Sequence, residues 1–198
     1  ANFDDTLRIP LAEKVLSRLS HLEHQIRDML VFARGDSRLA EKLDINEFVE
    51  ALRQAAEPVC QNAGVVCDWS VDELSGAIMC NKETLVGACL NLINNSIEAG
   101  IHSKKSDLQI HISVSSDTHN KIILKVKDNG PGIPASSISK VFEPFYTTKQ
   151  QGTGLGLAVV QAVVKAHKGD FNVKSTKQGL MASVTLPAYP SIYSDVKR

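Results

Sequence analysis

The sequence predicts an α/β (α+β) two-layer sandwich, in which a mixed, mostly antiparallel sheet is covered by helices on one face and preceded by one long helix. Two observations lead to this prediction. Residues 109–115 and 121–127 each alternate apolar and polar side chains around a turn at 117–120, as expected for a hairpin with one buried face. In addition, helical and strand patterns are mixed along the chain rather than strictly alternating, which favours antiparallel pairing.

The long helix is predicted from a 4-3 apolar repeat over residues 11–33. The repeat places one apolar stripe along about six helical turns, formed by Val15, Leu19, Leu22, Ile26, Met29 and Ala33. A lone helix of this length is marginally stable in water, so we expect the stripe to pack against another copy of the chain or another segment. Packing against its own domain is the alternative. Residues 1–35 form the first predicted unit.

The remaining elements form one predicted domain over residues 36–187, followed by a tail at 188–198 without periodicity. The predicted strands cover 43–45, 65–71, 77–80, 109–115, 121–127, 171–175 and 181–186. Helices are predicted at 46–62 with Asn46 as N-cap, at 82–99 with Asn81 as N-cap and Gly100 as the C′ glycine, and at 155–167.

Composition predicts a globular protein that does not bind nucleic acid and has no membrane segment in this chain. Of 198 residues, 43% are hydrophobic and 22% charged, and the formal net charge is zero without a basic block. No apolar run approaches the ~18 residues that cross a bilayer, and no signal peptide opens the chain. We expect a cytoplasmic protein. Its four cysteines, Cys60, Cys67, Cys80 and Cys89, are expected to be buried and reduced. Binding of zinc or formation of disulfides is the alternative.

Asn91 and Asn95 lie one turn apart on the predicted helix 82–99 and project from the same side. Two neutral amides on one helical face are also compatible with exposed polar positions. A carboxamide oxygen is, however, a suitable hard ligand for Mg²⁺, which keeps waters and phosphate oxygens beside one or two protein groups. Asn95 is therefore the candidate magnesium ligand.

Asp128 ends a predicted strand and opens the segment Asp-Asn-Gly-Pro-Gly. All five residues are turn formers, so a simple surface bend explains them. The segment also suits a purine, because an ionised Asp128 accepts a hydrogen bond from an exocyclic amine while Gly130 and Gly132 let the backbone approach the base. On this motif alone, both interpretations stay open.

A second glycine-rich segment, Gly-Thr-Gly-Leu-Gly-Leu at 152–157, leads directly into an apolar helix. Its glycines let N–H groups converge, and the helix N-terminus adds partial positive charge, so phosphate is stabilised there. Between the two glycine segments, residues 141–149 form a polar loop whose aromatic residues are expected to anchor a lid. Lys149 can reach a terminal phosphate, and a solvated surface lysine is the alternative.

Together these motifs resemble the N, G1, F and G2 boxes of bacterial sensor histidine kinases, which share an ATP-binding fold with gyrase, Hsp90 and MutL. The likeness covers about residues 36–187, with the four motifs in the family's order. The Phe-Tyr-Thr-Thr-Lys lid is most similar to the nitrogen-regulatory type. Residues 12–35 are similar to the second helix of the dimerisation and phosphotransfer hairpin, and their sequence resembles the flagellar-regulatory sensor kinases.

The resemblance implies a protein-histidine kinase core that uses ATP and Mg²⁺, with Asn91 and Lys149 as catalytic residues and Asn95 as the metal ligand. The implied cofactor-binding residues are Asn91, Asn95, Asp128, Gly130, Gly132, Ile133, Tyr146, Thr147, Thr148, Lys149, Gly152, Thr153, Gly154, Leu155, Gly156, Leu157 and Thr185.

Two positions depart from patterns seen among the relatives. In the related ATPases the position of Asn91 holds a glutamate that activates water. A carboxamide cannot accept water's proton, so Asn91 disfavours efficient hydrolysis and favours transfer to a separate acceptor. Many family members carry Lys or Arg where Glu98 stands, which shifts the phosphate contact onto Lys149.

The family's phosphoacceptor histidine is not found in the sequence. Residues 8–10 have the tail of its motif, but Asp5 stands where the histidine is expected, and exposed helix positions explain His21 and His24. We therefore expect a fragment that begins between the hairpin helices and phosphorylates a histidine outside it. The resemblance further implies a response regulator as partner and, in the parent protein, a homodimer through residues 11–33. The alternatives are a gyrase/Hsp90-type ATPase and a degenerate nucleotide-binding or dimerisation module.

Overall fold

The structure, a computed structural model, describes residues 11–12, 15, 26, 40–119, 121–149, 152–176 and 178–189. Most of the predicted long helix and of the tail at 188–198 therefore lies outside the described residues. Leu11, Val15 and Ile26 are helical and 61, 50 and 58% exposed. The partner of the apolar stripe, and the dimer that it implies, stay predictions.

Seven strands and four helices follow one another within the described residues. The strands are β1 (Glu41–Asp44), β2 (Val66–Val71), β3 (Ala77–Cys80), β4 (Gln109–Ser116), β5 (Lys121–Asp128), β6 (Asp170–Thr176) and β7 (Gly179–Pro187). The helices are α1 (Ile45–Asn62), α2 (Lys82–His102), α3 (Ala135–Ile138) and α4 (Gly156–Ala166). Each predicted strand is present, and α3 is an additional short helix that the sequence patterns did not predict.

Five strands form the main sheet in the order β2-β4-β5-β7-β6. Only β2 and β4 pair in parallel within this sheet, and the other neighbours are antiparallel. Strands β1 and β3 form a separate antiparallel pair. The predicted mixed, mostly antiparallel sheet is confirmed.

One face of the sheet carries the core. The alternation of β4 and β5 buries Ile110, Ile112, Leu124 and Val126, while their neighbours in sequence lie on the other face. These side chains join buried residues of α1, α2 and α4 in a single hydrophobic cluster. The helices therefore cover one face of the sheet, as the sequence predicts.

Helix α2 is fixed at its beginning. The predicted N-cap is confirmed, because the Asn81 side chain accepts a hydrogen bond from the Thr84 N–H at 2.9 Å. The buried His167 accepts from the Asn81 N–H at 3.1 Å through Nε2 and donates to the Val163 carbonyl at 2.7 Å through Nδ1. The end of α4 is thereby attached to the beginning of α2.

Two predicted helix boundaries are wrong. The N-cap of α1 is Asp44, whose carboxylate accepts from the Asn46 N–H at 2.8 Å. Helix α2 continues through Gly100 to His102. A Cβ at Gly100 would lie 2.3 Å from Leu108 Cδ2, so close packing rather than helix termination accounts for this glycine.

None of the four cysteines forms a disulfide, as predicted, and Cys60, Cys80 and Cys89 are buried. Burial is the main cause that raises the pKa of the Cys89 thiol to about 12.

The described residues contain no group of three or more His, Cys, Asp or Glu side chains that could hold a metal. In this same part of the chain, no helix is long and apolar enough to cross a membrane.

Candidate functional site

Asp128 ends β5 on the helix-covered face of the sheet and is only 3% exposed. Its Oδ1 accepts hydrogen bonds from the Gly130 N–H at 2.9 Å and the Leu180 N–H at 3.1 Å. Its Oδ2 accepts from the Ser96 hydroxyl of α2 at 2.9 Å. An ionised carboxylate offers about four acceptor positions, so about one, on Oδ2, is left for a ligand donor.

The glycine turn after Asp128 is held against the β6–β7 hairpin. Gly132 has φ +71°, and a Cβ there would lie 2.4 Å from the Thr176 carbonyl oxygen. The Ile133 N–H donates to the Ser175 hydroxyl at 2.6 Å. These contacts leave space for glycine alone and fix the path of the backbone beside Asp128.

The two asparagines of α2 lie at different depths. Asn91 is buried, at 4% exposure, whereas Asn95 is half-buried one turn later. A Cβ at Gly156, the first residue of α4, would lie 3.3 Å from Asn95 Nδ2. Asn95 therefore lies beside the end of the second glycine segment, and the structure brings these two predicted site elements together.

The N-terminus of α4 has no side-chain cap. Leu155 is its N-cap and has no side chain that bonds the first N–H groups, while the Thr153 hydroxyl accepts from the Leu155 N–H at 3.4 Å. Because α4 runs for 11 residues, its first turn carries a partial positive charge. A phosphate site at this end of α4 stays a prediction.

The loop 141–149 folds against the second glycine segment. Phe142 packs edge-to-face on Phe171 of β6, with ring centroids 5.7 Å apart. Gly154 has φ +68°, its carbonyl accepts from the Phe145 N–H at 3.0 Å, and a Cβ there would lie 2.4 Å from the Phe145 carbonyl carbon. Phe142 thus anchors the predicted lid, but Phe145 does not, because its side chain is 68% exposed.

Lys149 connects the lid to α2. Its Nζ donates to Asn95 Oδ1 at 3.1 Å and also to the Glu98 carboxylate. Its backbone N–H donates to the Thr147 hydroxyl at 3.0 Å. Tyr146 is half-buried, whereas Thr147 and Thr148 are exposed. Lys149 is therefore held in an ion pair rather than extended into solvent.

The structure separates Thr185 from the other predicted site residues. Strand β7 buries Ala182, Val184 and Leu186 on the core face, so Thr185 points to the opposite face of the sheet from Asp128. Its backbone lies between Ile123 and Asp170 of the neighbouring strands. The structure therefore does not bring Thr185 together with Asp128.

Residues 80–190, more than half of the chain, match the family model described as histidine kinase-, DNA gyrase B- and HSP90-like ATPase. The chain belongs to this ATPase family. The resemblance inferred from the sequence motifs is confirmed, and so is an ATP-binding fold. Magnesium stays a prediction.

Known proteins similar to the chain are sensor kinases. Sensor protein kinase FleS of Pseudomonas aeruginosa is 41% identical over 181 residues, which are 91% of this chain and 43% of FleS. The chain thus spans less than half the length of that relative. Histidine kinase AdeS of Acinetobacter baumannii is 26% identical, with a TM-score of 0.68 over 95% of this chain and 87% of AdeS.

Histidine kinase ThkA, solved in complex with the response regulator protein TrrA, has a TM-score of 0.71 and 21% identity over 100% of this chain and 55% of ThkA. At this identity the likeness shows the fold alone.

The arrangement fits what the ATPase family implies for its cofactors. The Asn95 amide oxygen already holds a cation, the Lys149 ammonium, which shows that this oxygen is placed to accept from a positive charge. An adjacent cavity of about 570 Å³ touches Asn129, Gly130 and Pro131 but is not lined by Asn95 or Gly154.

The sequence patterns did not indicate two residues of this site, nor the ion pair that a third forms. Ser96 and Leu180 complete the hydrogen bonds of Asp128, and Glu98 forms the ion pair with Lys149. Ser96 directly follows Asn95 on the core side of α2, and a small polar residue among buried apolar ones was the available signal.

Proposed function

We propose that this chain is the ATP–Mg²⁺-binding core of a two-component sensor histidine kinase. It holds ATP and transfers the γ-phosphoryl group to a histidine on a separate helix, from which a response-regulator aspartate receives it. The main support is that one helix, α2, places a hydroxyl on Asp128 and an amide oxygen near the start of α4.

Each region of the site has a task under this proposal. The remaining acceptor position of Asp128 receives the amino group of adenine, which gives specificity for that base. The N-terminus of α4 binds phosphate oxygens. Asn95 is the protein ligand of Mg²⁺, which neutralises charge on the phosphates when it is bound. Lys149 contributes a second positive charge at the terminal phosphate.

The chemistry needs no general base on this chain. A neutral imidazole nitrogen already has a lone pair, so it attacks the γ-phosphorus directly. The N–P bond forms while the bond from phosphorus to the bridging oxygen breaks, and ADP leaves with that electron pair. The proton on the other ring nitrogen of the imidazole is then released to water. Hydrolysis, in contrast, requires a group that takes a proton from water, and the buried Asn91 carboxamide has no basicity for this. Asn91 therefore supports transfer over the gyrase/Hsp90-type alternative.

The partners and location belong to the same proposal. A response regulator is the expected acceptor, and ThkA is a fold relative solved with such a protein. A homodimer through residues 11–33, a cytoplasmic location and a role in flagellar regulation follow from the sequence resemblance.

Transfer is tested with γ-labelled ATP and Mg²⁺, using the chain with an added first-helix segment that carries the acceptor histidine. We expect label on the added segment, and none when its histidine is replaced by alanine or when the chain carries Asn95→Ala. ATP binding without transfer would favour the degenerate module, and rapid phosphate release would favour the ATPase. Label on this chain alone would contradict the expectation that the chain lacks a phosphoacceptor histidine.

A further inference from the structure

Lys149 is a cation held by two oxygen ligands from successive turns of α2. Its ammonium contacts both Asn95 Oδ1 and the carboxylate of Glu98. The Lys149 side chain is 31% exposed and that of Glu98 is 46% exposed. We call these two groups the Asn95–Glu98 oxygen pair. An amide oxygen beside a carboxylate is also a ligand set that suits a hard divalent cation.

The negative charge of Glu98 repels a triphosphate bound near Asn95. Its carboxylate lies one turn from Asn95, where the proposed function places Mg²⁺ and phosphate, and like charges at such distances repel. In the structure Lys149 compensates Glu98. If Lys149 moves to the terminal phosphate, Glu98 loses that partner, and a second cation is needed at the same place.

We propose that Lys149 and Mg²⁺ compete for the Asn95–Glu98 oxygen pair, and that Glu98 is a positioning residue that makes release of the lid lysine depend on the metal. The inference rests on the proposed function. Without metal, Glu98 retains Lys149 and repels the nucleotide. With metal and nucleotide bound, the carboxylate is compensated by the metal, directly or through water, and Lys149 is free to reach the phosphate.

The first test uses Mn²⁺ binding to the nucleotide-free chain, measured by electron paramagnetic resonance, so it needs neither ATP nor activity. Lys149→Met removes the competing ammonium, and we expect Mn²⁺ to bind roughly threefold or more tightly than to the unchanged chain. Glu98→Gln added to Lys149→Met should abolish the gain.

The control is the ion pair between Lys82 and Glu47, which joins α2 to α1 at 2.9 Å and is similarly exposed. Lys82→Met should leave Mn²⁺ affinity unchanged. An equal gain from both lysine variants would overturn the inference, because loss of any positive charge would then explain the effect. No gain from Lys149→Met would overturn it as well.

The second test measures how strongly Mg²⁺ raises affinity for a non-hydrolysable ATP analogue, by calorimetry with metal and with chelator. Glu98→Gln should bind the metal-free analogue about fivefold more tightly, which lowers the ratio of the two affinities. Glu47→Gln is the matched control and should keep the ratio. An unchanged ratio in Glu98→Gln would refute the role of Glu98. Absence of nucleotide binding in the unchanged chain would instead refute the proposed function.

Discussion

Replacement of Asp128 by asparagine tests the base-recognition site without removing its hydrogen bonds to the protein. An asparagine keeps one oxygen for the N–H groups of Gly130 and Leu180. Its NH₂ group then stands at the position of Oδ2 and donates to the Ser96 hydroxyl, which turns its own proton to the Leu92 carbonyl at 3.2 Å. The fold is preserved, but the one spare acceptor becomes a donor.

The expected loss in affinity follows from this exchange. A hydrogen bond to a charged acceptor contributes about 1.5–3 kcal/mol, which corresponds to about tenfold to about 150-fold in the dissociation constant of ATP. The Asp128→Asn side chain also places two donors opposite each other when adenine binds. Inosine triphosphate has a carbonyl in place of the amino group, so it should lose less affinity than ATP or gain affinity.

Calorimetry with ATP and inosine triphosphate measures both effects, with thermal melting as the check on folding. Ser96→Ala is the control: it removes one donor to the carboxylate and costs about 1–3 kcal/mol of unfolding free energy, yet keeps the acceptor and the preference for ATP. Equal loss of both nucleotides in Asp128→Asn, or unchanged ATP affinity, would refute the assignment of Asp128 to adenine.

Three further predictions concern other residues. His167→Ala should lower the unfolding free energy by about 1–3 kcal/mol in urea titrations, because the Asn81 N–H loses its acceptor. The comparison is the exposed ion pair of His111. Its loss should lower the unfolding free energy by less than about 1 kcal/mol. Asn91→Glu should raise the slow release of phosphate from ATP, and no change in a phosphate assay would count against the general-base argument. The raised pKa of Cys89 means that the folded state keeps its proton longer than the unfolded state, so stability should fall as pH rises from 9.0 towards about 12. In Cys89→Ala that part of the decline, measured by unfolding at matched pH values, should disappear.

Local patterns were sufficient for the elements of the sheet. The alternation in residues 109–115 and 121–127 identifies β4, β5 and their buried faces, because a period of two fixes which side chains meet the helices. In β7, the burial of alternate side chains in the structure places Thr185 on the outer face, whereas the family resemblance had placed it in the site. At this position the alternation of side chains along the strand, and not the family resemblance, agrees with the structure.

Contacts between distant residues were not predictable from the sequence. Ser96 and Asp128 are 32 residues apart, and Lys149 is 54 residues from Asn95, so nothing local in either segment reports the pairing. The prediction that Gly100 ends helix α2 was wrong for a related reason. A glycine near the end of a helical pattern usually indicates a C′ position, but here contact with Leu108 requires it inside α2.

Helix α2 is attached to α4 at two places. His167 attaches the end of α4 to the start of α2, and Asn95 contacts the first residue of α4 near the other end. The phosphate-binding turn and the proposed metal ligand are therefore held in fixed relation. The lid, in contrast, contacts α2 through the side chain of Lys149, and it also contacts Phe171 and Gly154. An exchange of cations at the Asn95–Glu98 oxygen pair consequently changes the position of the lid while the base and phosphate sites stay in place.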